Sequence, residues 1–181
     1  MAMAVNYYVD ETITPPDMAT YSLKNGCRTN SNGTSWGFFS KIAKKYDLEF
    51  LQTASSVEAL KWMNTKEDPL VICSMGRGLW TNYGHYILLW DVRDGVAYIN
   101  DPASTKKNRT ENSYKYMASQ CKQFFCFNKK PLPKEETPNS EITYTGQKIS
   151  EIIVPKVQMF TPIEEDTMFD KLVKACSLLT F

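Results

Sequence analysis

Tyr83-Gly84-His85-Tyr86-Ile87-Leu88-Leu89-Trp90-Asp91-Val92-Arg93-Asp94-Gly95-Val96-Ala97-Tyr98-Ile99-Asn100-Asp101-Pro102 decides how this chain is read. Two apolar runs, 85–92 and 96–100, flank Asp94-Gly95, a dipeptide that favours the positive φ angles of a two-residue hairpin turn. Pairing of the two runs is nearly forced by that turn. His85, the only histidine of the chain, stands at the entrance of the first strand, and Asp101 stands at the end of the second. A strand-borne imidazole followed by a carboxylate on the next hairpin strand is how a nucleophilic hydrolase presents a general base and the residue that orients it.

Working outward, helices precede the hairpin. Residues 1–8 have helical propensity without a start signal. Thr14 as N-cap with Pro15 at the first position opens a second helix, which Gly26 closes. Residues 30–33 read as a loop, and Thr34 or Ser35 caps a third helix with Trp36, Phe39, Ile42, Ala43 and Tyr46 on its apolar face. A short strand over 50–52 follows, and Ser55 with Glu58 forms a capping box for a fourth helix through Met63. After that the pattern turns to strands: 69–75, the hairpin, and a closing strand over 123–127, with a short helix over 113–121 between them. Helices first and an antiparallel sheet after them make an α+β domain over 1–128.

Residues 129–140 hold three prolines and several charges and read as a linker. Beyond it, 141–181 predicts a strand pair around Thr145-Gly146 and a helix starting at Thr161-Pro162, a small β/α appendage that packs on the main domain or on a partner.

Composition narrows the function. In 181 residues, 43% are hydrophobic, 23% are charged, and the net charge is +1. Scattered, balanced charges leave no footprint for nucleic acid, and no apolar segment reaches the roughly 18 residues of a membrane span. The start of the chain lacks the basic and apolar regions of an export signal. Cys27, Cys73, Cys121, Cys126 and Cys176 form no metal-ligand spacing and are odd in number, so neither a disulfide framework nor a metal site is predicted. No cofactor is implied.

Four segments together resemble a known family: Ile13-Thr14-Pro15-Pro16-Asp17, Gly33-Thr34-Ser35-Trp36-Gly37-Phe38-Phe39, Gly84-His85-Tyr86-Ile87-Leu88 and Tyr98-Ile99-Asn100-Asp101-Pro102. In this order they resemble the bacterial papain-like cysteine peptidases of family 39, which include bacteriocin-processing enzymes. The resemblance covers 1–128 and implies a papain-like fold, with His85 as general base and Asp101 as its orienting carboxylate. It also implies a nucleophilic Cys in a Cys-Gly-Pro motif at the start of the first helix, with an oxyanion Gln a few residues earlier. Residues 1–5 resemble later turns of that helix, so the expected Cys and Gln lie ahead of Met1.

Cys27 is the candidate substitute nucleophile, in a polar loop. It follows a helix C-terminus, however, where the partial negative charge disfavours a thiolate. Trp80, Tyr83 and Trp36 are candidate walls of a substrate cleft, set against plain packing. Two functions remain open. One is a truncated cysteine peptidase, inactive alone, whose intact parent cleaves a peptide or peptidoglycan-type substrate. The other is a non-catalytic papain-like module that binds a peptide or a cell-wall component.

Overall fold

The computed structural model describes residues 1–9, 12–29 and 33–131. The elements predicted for 141–181, and most of the predicted linker, lie outside the described residues.

Three helices come first: α1 (Ala2–Tyr8), α2 (Pro15–Lys24) and α3 (Gly37–Lys45), with a small hairpin of β1 (Arg28–Thr29) and β2 (Gly33–Thr34) between the last two. The start of α2 follows its sequence closely. The Thr14 side chain accepts from Asp17 N, the Asp17 carboxylate accepts from Thr14 N, and Pro15 takes the first position. Gly26 ends the turn after α2 at φ +65°, a conformation that costs a glycine little.

The start of α3 departs from expectation. Thr34 is drawn into β2, Trp36 occupies the cap position in helical geometry, and no side chain caps the helix. Phe38, not Trp36, joins Phe39, Ile42 and Ala43 in the core.

A six-stranded antiparallel sheet forms from β3 (Leu48–Thr53), β4 (Leu70–Met75), β5 (His85–Arg93), β6 (Val96–Asn100), β7 (Glu111–Ser113) and β8 (Cys121–Lys129), in the order β3-β8-β4-β5-β6-β7. The last strand is therefore internal rather than terminal. Phe125 and Phe127 on one face and Phe124 and Cys126 on the other are almost completely buried, as a strand with neighbours on both sides requires. The Asp94-Gly95 turn has both residues at positive φ, as the dipeptide demands.

Helices cover both faces. α1, α2 and α3 pack on one face, where the Phe39 and Phe125 rings stack with centroids 3.9 Å apart. α4 (Ser56–Thr65) and α6 (Tyr114–Ser119) pack on the other with Val71, Cys73, Ile87 and Ile99.

Ser55 caps α4 by accepting from Glu58 N, but the reciprocal half of the predicted capping box is replaced. The Glu58 carboxylate accepts instead from the Thr53 hydroxyl, which in turn accepts from Ser55 N. Two short elements after the hairpin, α5 (Lys107–Thr110) and β7, carry no apolar periodicity and were not expected.

Candidate active site

The site begins with strand register. Met75 pairs with His85 and Leu88 pairs with Asn100, so one further step along the hairpin sets Asp101 diagonally across from His85 on the same face. His85 Nε2 lies 2.7 Å from Asp101 Oδ1. A carboxylate oxygen can only accept, so Nε2 carries the hydrogen, and in the neutral ring Nδ1 holds the lone pair. The imidazole thus presents Nδ1 as the basic atom.

Asp101 is held from three directions. Oδ1 also accepts from Ala103 N at 2.9 Å, and Oδ2 stands 2.6 Å from Arg109 Nη2 of α5. That last contact is an ion pair without the alignment of a good hydrogen bond. The Asp101 side chain is fully buried, whereas those of His85 and Arg109 are each 19% exposed. The imidazole is therefore reachable from solvent while its orienting carboxylate is not.

Arg109 was absent from the sequence-based candidates. It lies in the polar run Lys106-Lys107-Asn108-Arg109-Thr110, where no spacing marks one basic residue above another. Its Nη2 donates to Trp80 O at 2.8 Å, and Trp80 Nε1 donates to Arg109 O at 3.0 Å. Trp80 is thus a buried anchor of the loop ahead of β5, only 3% exposed. Tyr83, near the end of that loop, is 92% exposed, and Trp36, on the face covered by α1, α2 and α3, is 40% exposed against Phe125. The structure brings His85, Asp101 and Trp80 into one neighbourhood. Trp36 is part of the opposite packing layer.

Loop 76–84 is pinned from beneath by Gln120. Its backbone carbonyl accepts from Gly76 N at 2.7 Å, and its side-chain Oε1 accepts from Leu79 N at 2.7 Å.

The described cysteines are engaged elsewhere. Cys27 is not in an open polar loop: it is 3% exposed in the core with Phe38 and Phe39, and its Sγ donates to Asn25 O at 3.5 Å. The loop folds back because Cys27 N donates to Ser22 O and Ser35 N donates to Cys27 O, which carries the thiol inward. The Cys121 thiol donates to Gln123 O. Burial pushes the Cys73 thiol well above its usual range and the Cys126 thiol up to about 12, so both are held as inert neutral groups. Among the described residues no cluster of His, Cys, Asp and Glu could hold a metal ion.

Beside the hairpin, a groove of about 300 Å³ opens at the first turn of α1. Met1, Met3, Met18 and Phe38 give it an apolar lining, and Tyr86 and Pro102, the chain neighbours of His85 and Asp101, border it.

A family model described as the Peptidase C39 family matches residues 2–122, a span that contains the whole hairpin and its His85–Asp101 pair. The chain belongs to the Peptidase C39 family. Among solved structures, this C39 domain resembles the peptidase domain of Streptococcus ComA, described as a bi-functional ABC transporter involved in a quorum sensing pathway. Identity is 17%, the TM-score is 0.53, and the match covers 71% of this chain and 87% of that one. The peptidase domain of Streptococcus mutans ComA matches at 19% identity and a TM-score of 0.44, over 63% of this chain and 88% of that one. At 17% identity the first of these likenesses shows the fold alone. No curated protein sequence matches the chain. No helix among the described residues is long and apolar enough to cross a membrane.

Proposed function

We propose that this C39 domain serves peptide-bond hydrolysis by a Cys-His-Asp mechanism, with His85 as base and acid and Asp101 as its orienting carboxylate. The observation that carries this reading is the Nε2-to-Oδ1 contact of 2.7 Å, which leaves Nδ1 as the proton acceptor. In such a centre a thiol gives its proton to Nδ1, and the thiolate attacks the substrate carbonyl to form a carbon–sulfur bond. The imidazolium then protonates the leaving amine as the carbon–nitrogen bond breaks. A water gives its proton to Nδ1 and attacks the thioester, and that proton returns to the departing thiolate.

The nucleophile is not one of the four described cysteines, whose thiols are buried or bonded elsewhere. The thiol is assigned instead to a segment joined ahead of α1, at the groove bordered by Tyr86 and Pro102. The apolar lining of that groove suits the backbone and small side chains of such a segment, with a peptide substrate alongside.

The test is to compare the 181-residue chain with the same chain carrying a Gln and a Cys-Gly-Pro-Ser segment fused ahead of Met1. The unfused chain is expected to leave peptides intact. The fused chain is expected to show rapid alkylation of the new thiol by iodoacetamide together with peptide turnover, both lost in His85→Ala. A folded, fused chain without thiol-dependent turnover would overturn the catalytic reading in favour of a peptide-binding module. Turnover by the unfused chain that disappears in Cys27→Ala would overturn the assignment of the nucleophile.

A further inference from the structure

Arg109 does something in this site that no motif announces. We propose that it is a positioning residue of the His85–Asp101 pair: through its guanidinium it fixes the Asp101 carboxylate so that Oδ1 faces His85 Nε2 and the imidazole is held in one tautomer. The inference rests on the reading of His85 as the base.

Three observations converge on it. First, the Asp101 side chain is completely buried, and a buried carboxylate needs partners on both of its oxygens and a compensating charge nearby. Oδ1 is occupied by His85 and Ala103 N, which leaves Oδ2, and Arg109 Nη2 stands 2.6 Å from it. The terminal torsion of an aspartate is broad, so without a partner on Oδ2 the carboxylate plane can turn away from His85 Nε2 and loosen that contact.

Second, Arg109 is itself anchored. It donates to Trp80 O and its own carbonyl accepts from Trp80 Nε1, a two-way link between α5 and the loop ahead of His85. The guanidinium therefore cannot swing away from Oδ2 without breaking the contact to Trp80.

Third, the Arg109 Nε is buried without a partner. A guanidinium free to settle would bring that donor to water or to a carbonyl. Here it is held where Nη2 serves both Trp80 O and Asp101 Oδ2, at the expense of Nε.

His85 is the only histidine, so its ring signals in a long-range proton–nitrogen NMR spectrum of the 15N-labelled chain are unambiguous. Recorded on the neutral ring, the wild-type protein is expected to show the Nε2–H tautomer in excess by about tenfold or more, the factor a charge-assisted hydrogen bond supplies. Arg109→Gln is expected to bring the two tautomers to within about threefold of each other. Arg109→Lys is expected to fall between, because an ammonium supplies the charge without the rigid guanidinium plane that seats Nη2 against both Trp80 O and Oδ2. A tautomer ratio equal to wild type in either variant, with a native amide spectrum, would overturn the proposal and leave Arg109 a purely structural ion pair. If Arg109→Gln does not fold, Arg109→Lys decides alone. No nucleophile is needed for this measurement. A fused chain that fails to cleave peptide while the tautomer order holds would therefore sink the peptidase reading and leave the positioning role standing.

Discussion

Replacing Gly78 with alanine tests how tightly the loop ahead of His85 is seated. A Cβ on Gly78 would lie 1.9 Å from Gln120 Oε1, 2.4 Å from its Cδ and 3.0 Å from its Cγ, so the amide cannot stay where it is. The Gln120 side chain is flexible and can swing out, but its Oε1 is the acceptor for Leu79 N at 2.7 Å. Losing that bond and leaving a half-buried N–H costs about 1–3 kcal/mol, while the stiffer unfolded chain of an alanine returns about 0.4–1 kcal/mol. The net expectation is a loss of about 1–2 kcal/mol, which lowers the urea midpoint by roughly 1 M at the slope of a small domain. Equilibrium unfolding followed by tryptophan fluorescence is a suitable assay, with Trp80 two residues away as a local reporter. Gln120→Ala alone should cost a similar amount, since it removes the same bond. The double variant should then be no worse than Gln120→Ala, because nothing remains for the Cβ to displace. A Gly78→Ala protein within 0.5 kcal/mol of wild type, or strictly additive single variants, would refute the reasoning.

Two further outcomes follow from the site and the core. Asp101→Asn keeps an acceptor for His85 Nε2 but can turn an amide N–H toward Arg109 Nη2, now 2.6 Å from Oδ2. Because Arg109 is partly exposed, the loss should be about 2–4 kcal/mol, below the full cost of breaking a buried pair, and a change under 0.5 kcal/mol in urea unfolding would contradict it. Stability should also decline in alkali. Burial holds Cys126 neutral up to about 12 and raises the phenols of Tyr7 and Tyr8, while in the unfolded chain a thiol ionises near 8.5 and a phenol near 10. A raised folded-state value leaves its stability intact below the unfolded value and removes it as the pH climbs toward the folded one. The urea midpoint should therefore fall from about pH 8.5 upward and more steeply above about 10, and a flat midpoint from pH 8 to 11 would be the contrary result.

Much of the fold was legible because its signals are local. Thr14-Pro15 and Gly26 bound α2, Ser55 starts α4, and Asp94-Gly95 sets the hairpin, each through backbone geometry that neighbouring residues decide. The misreadings fall where a partner outside the helix competes with the cap. Thr34 had the chemistry of a helix cap but pairs with Arg28 instead, and Glu58 had the spacing of a capping box but bonds Thr53. The aromatic run Phe124-Phe125-Cys126-Phe127 announced a buried strand. Its place between β3 and β4 depends on pairing with residues more than fifty positions away, which no local pattern encodes.

The same division runs through the site. By itself the sequence determined the hairpin and that His85 and Asp101 come to the same edge of it. Strict alternation from the two-residue turn, however, would pair Asp101 with Leu88, on the face away from His85. The bulge between Leu89 and Asp91, set in the folded sheet, shifts the register by one residue and lets the two side chains meet. The sequence also determined the family, through motifs that lie along the chain in order. Only the tertiary structure decided that Cys27 is buried in the layer of α1, α2 and α3 and that Trp80 is an anchor while Tyr83 stands in solvent. It alone placed Arg109 against the second oxygen of Asp101. Those outcomes turn on which surfaces close over which groups, and burial is set by the packing of segments far apart in the chain.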